Sequence, residues 1–320
     1  MKKRRVVGFF LILIIVSLFL MGCERIRRQR VRPEDVEEDV HRGTRGLLMR
    51  FARNLPPNKI FDIDALDIFL ELENKGASDL RGSRCFLFLS GFDQSIFPQL
   101  PKFYQECGDL EGRSIYNPDG GYDTKQFTSP PYSIYLPEAI DSFPQTFVVH
   151  ACYEYRTKAR PIVCINPRLY DITSPVEACV VQDVPMGGGQ GGPVAVERVE
   201  VDMMKDKVMF KIHVANVGGG TVIKHGTSLR GDTVGSCPNQ LEYTNIDIVD
   251  IERLDMSGGS MIKCVPEDGF VRLIDNRGKI VCTFLVIERN TAFTTPLIID
   301  LKYSYLDSIS KKVEIIKTPS

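Results

Sequence analysis

The side chains with most chemical potential in this 320-residue chain are nine cysteines and four histidines. The cysteines are Cys23, Cys85, Cys107, Cys152, Cys164, Cys179, Cys237, Cys264 and Cys282. No two stand in a Cys-x-x-Cys pair, so neither a zinc ribbon nor a thioredoxin-type redox motif is supported. In an exported chain, eight of them are disulfide candidates. Cys23 is set apart by its place at the end of an apolar segment. The histidines, His41, His150, His213 and His225, show no His-Glu-x-x-His and no metal-ligand spacing. His150 and His213 fall in strand-like runs, where a hydrogen-bonded structural role is expected.

Other catalytic patterns fail on context. Gly187–Gly192 has no following Lys-Ser/Thr, so it is not a phosphate-binding loop. No Gly-x-Ser-x-Gly elbow occurs. Ser308–Lys311 fits Ser-x-x-Lys formally, without the companion motifs of β-lactamases. Asp119-Gly120-Gly121-Tyr122-Asp123 offers oxygen ligands but lacks EF-hand spacing, and reads as a turn. No catalytic residue, metal site or cofactor is expected. The net charge of −1 gives no basic field for nucleic acid.

The N-terminus carries an address. Met1–Arg5 (MKKRR) precedes the uncharged run Val6–Met21, and Gly22-Cys23 follows at once. A charged start, an apolar core and a small residue at the boundary are what export machinery reads. Leu20-Met21-Gly22-Cys23 resembles a lipobox, which makes Cys23 a lipidation candidate; Met21 departs from the usual residue there. An uncleaved membrane helix is the other reading, since the run is at the short edge of a span. Basic clusters on both flanks leave orientation rules without a vote. A fully released protein is the third reading; all three put the body outside the cytoplasm, and it is expected at the cell membrane, facing the extracytoplasmic side.

The body must then supply the elements. Glu34–Asn54 is expected to be a short helix ended by Pro56-Pro57. From Ile60 the apolar residues alternate, as in Ile68, Leu70 and Leu72 before Asn74-Lys75-Gly76. Gln145–Arg156 reads as a strand and Pro161–Asn166 as its hairpin partner. Phe92–Pro131 reads as a long loop. Five glycines in six positions at 187–192 read as a linker. The expected layout is 1–22 signal or anchor, 23–57 tether and helix, 58–186 first β-sandwich, 187–192 linker, and 193–320 second β-sandwich. Ile68–Gly76 (IFLELENKG) and Phe210–Gly218 (FKIHVANVG) echo each other as a strand ending in Asn-x-Gly.

Alternating strands ending in Asn-x-Gly resemble the CARDB-type, immunoglobulin-like modules of prokaryotic surface proteins. PPNKIFDIDALDIFLELENKGASD, HACYEYRTKARPIVCINP, GGQGGPVAVERVEVD and LIIDLKYSY are similar to uncharacterised, membrane-anchored archaeal proteins of that type. The resemblance implies tandem immunoglobulin-like sandwiches and a surface location, and no activity.

The cysteine framework follows from spacing. Cys152 and Cys164 flank Lys158 by equal arms, so a symmetric hairpin predicts a Cys152–Cys164 bridge. A hairpin at Asn276–Gly278 would set Cys282 near Val271 and away from Cys264. Five body cysteines precede the linker and three follow it, so complete pairing needs a bridge across it, with Cys179 the natural candidate. Cys85, Cys107, Cys237, Cys264 and Cys282 stay unassigned. The functional expectation is a membrane-anchored binding or structural module for a protein, glycan or envelope partner. The alternative is an extracytoplasmic enzyme or accessory subunit with a site in the 92–131 loop.

Overall fold

A computed structural model describes residues 40–101, 104–171, 178–231 and 234–319. The expected anchor and the Cys23 lipidation site lie outside the described residues. Among the described residues no helix is long and apolar enough to cross a membrane. The fold is mostly β. Its first strands are β1 (Leu47–Phe51), β2 (Lys59–Phe61), β3 (Leu66–Asn74), β4 (Cys85–Ser90), β5 (Gln105–Glu106) and β6 (Tyr122–Ser129). There follow β7 (Ser142–Ala159), β8 (Ile162–Ile165), β9 (Val184–Pro185), β10 (Val194–Met204), β11 (Lys207–Asn216) and β12 (Thr221–Ile223). The last are β13 (Ile248–Met256), β14 (Gly259–Val265), β15 (Phe270–Arg272), β16 (Arg277–Val286) and β17 (Phe293–Ile316).

Alternation decides the faces. In β3, Leu66, Ile68, Leu70 and Leu72 are fully buried, while the residues between them are half-exposed. Val208, Phe210, Ile212 and Val214 do the same in β11. The helix expected over Glu34–Asn54 is corrected in its described part: Leu47–Phe51 is a strand, pairing Met49 with Leu72. Leu47, Met49 and Phe51 alternate, whereas Leu47, Leu48 and Phe51 fit a helical spacing, and a buried β3 partner settles the conformation.

Three sheets result. One has the order β1-β3-β6, and a second β14-β16-β11-β10-β9. The third runs β15-β13-β17-β7-β4-β5, with β2, β8 and β12 also on β17. Its centre is the antiparallel pairing of β7 with β17, from Ser142 opposite Ile316 to Ala159 opposite Ile299. That ladder takes in all 18 residues of β7. The described residues belong to one compact unit.

On the inner face of this ladder Tyr155 lies opposite Tyr303, and Tyr153 opposite Tyr305. All four rings are buried and meet at centroid distances of 5.8–6.4 Å. A buried phenol needs partners for its hydroxyl. Tyr155 donates to Asn74 Oδ1 (3.2 Å) and accepts from the Ser78 N–H. Tyr305 donates to Asn216 Oδ1 (3.0 Å) and accepts from the Gly220 N–H. Tyr303 bonds Thr157 and accepts from the Val194 N–H. Burial raises all four phenols above the usual tyrosine range, Tyr305 to about 12.

The sequence echo has its counterpart here. Asn74 accepts the Gly76 N–H and donates to the Ser78 carbonyl. Asn216 likewise accepts the Gly218 N–H and donates to the Gly220 carbonyl. A Cβ on Gly76 would collide with the Tyr155 hydroxyl, and one on Gly218 would stand 2.5 Å from that of Tyr305. The glycine of each Asn-x-Gly therefore makes room for the tyrosine that its asparagine binds.

The glycine run is packed at its end. Gln190 is buried and bonds both main-chain groups of Val196. The Gly191 carbonyl accepts from Ala77. A Cβ on Gly192 would meet Thr157 and Tyr303 within 3 Å. Close approach explains Gly192, where the glycine run by itself suggests only flexibility. The long loop expected over Phe92–Pro131 is corrected: it holds β5, paired with β4, and β6, paired along β3, while Phe97 is buried against Phe147 and Leu110 bridges Leu80.

The disulfides are Cys85–Cys107, Cys152–Cys237, Cys164–Cys179 and Cys264–Cys282. The expected Cys152–Cys164 bridge is corrected. β7 does not turn at Lys158, which pairs with Asp300 of β17; after Pro161 the chain continues as β8 along the same β17. Cys152 and Cys164 are thus spread along one direction. The bridge across the glycine run is made by Cys152 with Cys237, not by Cys179. Cys264–Cys282 is a second correction. The turn at Asp275-Asn276 does form, both residues having positive φ, but β15 leaves it to pair with β13. This frees β16 for β14, with Cys264 opposite Cys282.

Two outcomes follow. Asn74→Ala orphans several buried groups and should cost about 2–4 kcal/mol in denaturant unfolding, against about 1 kcal/mol for the half-exposed Asn216→Ala; equal losses would contradict the buried network. Non-reducing peptide mapping should recover Cys152 linked to Cys237, and a Cys152–Cys164 peptide would contradict this register.

Candidate functional site

A hollow of ligand size begins where a strand is missing. β4 starts at Cys85, opposite Tyr153, yet β7 continues to Ala159. Upstream of Cys85 the chain turns away, with the Arg84 N–H on the Arg81 carbonyl and Leu80 bridged to Leu110. The gap is a cleft of about 540 Å³. Ala77, Ser78, Asp79, Arg81 and Arg84 form one wall; Glu154, Tyr155, Arg156 and Lys158 of β7 form the other. His41, Gln190, His225 and Lys302 complete it.

Its charge is unlike that of the whole chain. Five lining residues are Lys or Arg (Arg81, Arg84, Arg156, Lys158 and Lys302), and two are acidic (Asp79 and Glu154). Glu154 receives Arg84 at 3.2 Å, with His225 Nδ1 at 3.7 Å. Arg156 pairs with Glu252, and Asp79 accepts the Gly112 N–H. Among the described residues, Arg81, Lys158 and Lys302 make no salt bridge. Lys302 lies opposite Asp250 on β13, whose carboxyl burial pushes above the usual range. Asp300, opposite Lys158, is held by Arg160 at 2.5 Å. Arg81 and Lys158 thus have no committed partner in the cleft, whereas Lys302 acts on Asp250. A second hollow of about 430 Å³ shares His41, Ala77 and Asp79, and adds Arg113, Ile115 and the exposed Tyr116.

Of the sequence candidates, His41 and His225 line the cleft and the others fall elsewhere. His150 is held between Ser90 and Ser308, both at 2.7 Å. His213 bonds Glu200 at 2.8 Å. Ser308 and Lys311 are three apart on β17 and so point to opposite faces; Lys311 bonds Asn58. Within 119–123, Asp123 pairs with Lys125, and Gly120 stands where a Cβ would strike the Asn74 carbonyl. No group of three or more His, Cys, Asp or Glu side chains able to hold a metal occurs among the described residues. The cleft escaped sequence reading because its walls come from segments far apart in the chain. One signal was legible: Glu154-x-Arg156-x-Lys158 puts three charges on one face of a strand.

No family model matches the chain, and no curated protein matches it. Among solved structures it is similar to the CupB6 tip adhesin from Pseudomonas aeruginosa at 10% identity. That match covers 86% of this chain and 99% of the other, with a TM-score of 0.18. A score of that size carries no argument about fold or function.

Burial holds the His150 imidazole below its usual value. Protonation then favours the unfolded chain, so this contribution to stability falls as pH drops from about 6.5 toward the folded-state value. Imidazole titration by NMR should place His150 below about 6.5; a midpoint above that would contradict its burial.

Proposed function

We propose that this chain is an extracytoplasmic binding module, and not an enzyme, which uses the cleft beside β7 to hold an anionic partner. The observation that carries the reading is the excess of cations in a hollow of ligand size, with Arg81 and Lys158 left without salt bridges. The scaffold is rigid enough to present such a site, since both walls rest on strands fixed by the buried tyrosine hydroxyls and by Cys152–Cys237. Four disulfides suit an oxidising compartment. In this reading the N-terminal apolar run holds the protein to a membrane, through lipid on Cys23 or as an uncleaved helix. The body is two immunoglobulin-like sandwiches of the CARDB type fused across the β7–β17 ladder. The partner is a protein or envelope polymer rather than nucleic acid.

The purified full chain should bind poly-L-glutamate at low salt and release it as salt rises. Lys158→Glu with Arg81→Glu should weaken that binding about tenfold or more. Equal binding of poly-L-lysine, or no effect of the double reversal, would contradict the reading.

A further inference from the structure

The cleft wall formed by β7 is more than a row of charges, because it is also an open sheet edge. In an antiparallel strand, successive residues turn their main-chain N–H and C=O to opposite neighbours. The Cys107 N–H donates to the Cys85 carbonyl, so Cys85 turns its groups toward β5 and away from β7. Its partner Tyr153 must then turn its own groups toward β17. Counting on by twos, Tyr155 and Thr157 also serve β17. Arg156 and Lys158 turn theirs the other way, into the cleft. No strand pairs with them on that side among the described residues. Their N–H and C=O groups form a short template for another strand.

The side chains around this template specify its occupant. A strand added beside Arg156 and Lys158 would place alternate side chains on the outer face of the sheet. There they would meet Lys158 from β7 and Arg81 from the facing wall, while Arg156 is paired with Glu252 and Lys302 faces Asp250. Glu154 is occupied by Arg84. We infer that the cleft captures an extended acidic peptide segment of a partner protein by strand addition to the Arg156–Lys158 edge of β7, with alternate Asp or Glu side chains on the Arg81 and Lys158 cations. This rests on the anionic-partner reading above and deepens it. Main-chain bonding supplies affinity independent of sequence, and alternate carboxylates supply selectivity.

The test uses the full chain and three probes. One is acetyl-Glu-Val-Glu-Val-Glu-Val-amide. The second is the same peptide N-methylated at alternate residues on its pairing edge. The third is a hexamer of polygalacturonate, which carries carboxylates but no peptide edge. The peptide should bind, and should slow hydrogen exchange at the Arg156 and Lys158 amides. N-methylation should weaken binding about tenfold or more, through loss of two or so hydrogen bonds. Peptide and sugar binding equally, without amide protection, would overturn strand addition and leave the anionic cleft standing. Binding of neither probe, with Arg81→Glu plus Lys158→Glu indistinguishable from wild type toward both, would overturn both readings.

Discussion

The structure depends on one constraint: four tyrosines at the centre of the β7–β17 ladder bury their rings, and the hydroxyls of Tyr155, Tyr303 and Tyr305 must still be satisfied there. The rings supply apolar area where the halves of the chain meet. An unpaired buried hydroxyl would cost roughly 1–3 kcal/mol, comparable to a fair share of a domain's net stability. The chain meets that demand with the strand ends around it. Asn74 and Asn216 accept from Tyr155 and Tyr305, and Val194 donates to Tyr303. Partners come from both halves, so each half completes a polar network anchored on the shared ladder. The Cys152–Cys237 bridge adds a covalent tie between the same halves.

The functional reading follows from how that ladder ends. β7 is long because β17 gives it a partner along its whole length. β4 is short because the chain before Cys85 must reach back to the Asn74–Gly76 turn, whose Asn-x-Gly is fixed by Tyr155. The mismatch leaves the Arg156 and Lys158 edge uncovered and opens the cleft. Native sheets blunt such edges with charge, and the charges here are mostly of one sign. The same row can therefore discourage pairing with neutral strands while favouring acidic ones.

Much of this was legible in the residues, and the gaps have physical causes. Strands such as β3 and β11 were visible because each buries one face, which imposes a period of two. The Asn-x-Gly echo was visible too, but its reason was not: the tyrosines it serves lie 81 and 89 residues further on, Tyr155 for Asn74 and Tyr305 for Asn216. Disulfide pairing failed where it leaned on local hairpins. The Lys158 turn does not exist because a distant strand, β17, holds β7 straight. The Asn276 turn exists, yet the strands on either side belong to different sheets. Residues near 47–51 satisfied two periodicities, and only the β3 partner decides between them. The cleft is a property of strand lengths rather than of any motif, so no single segment announces it.

The central claim is that the ladder and its tyrosines make the described residues one cooperative unit. Native-state hydrogen exchange under increasing denaturant tests it most directly, by comparing the core amides of β3 with those of β11. The account predicts that both sets merge into one unfolding isotherm, with the same free energy and the same denaturant slope. Exchange of β3 through an opening that leaves β11 protected, or the reverse, would contradict it.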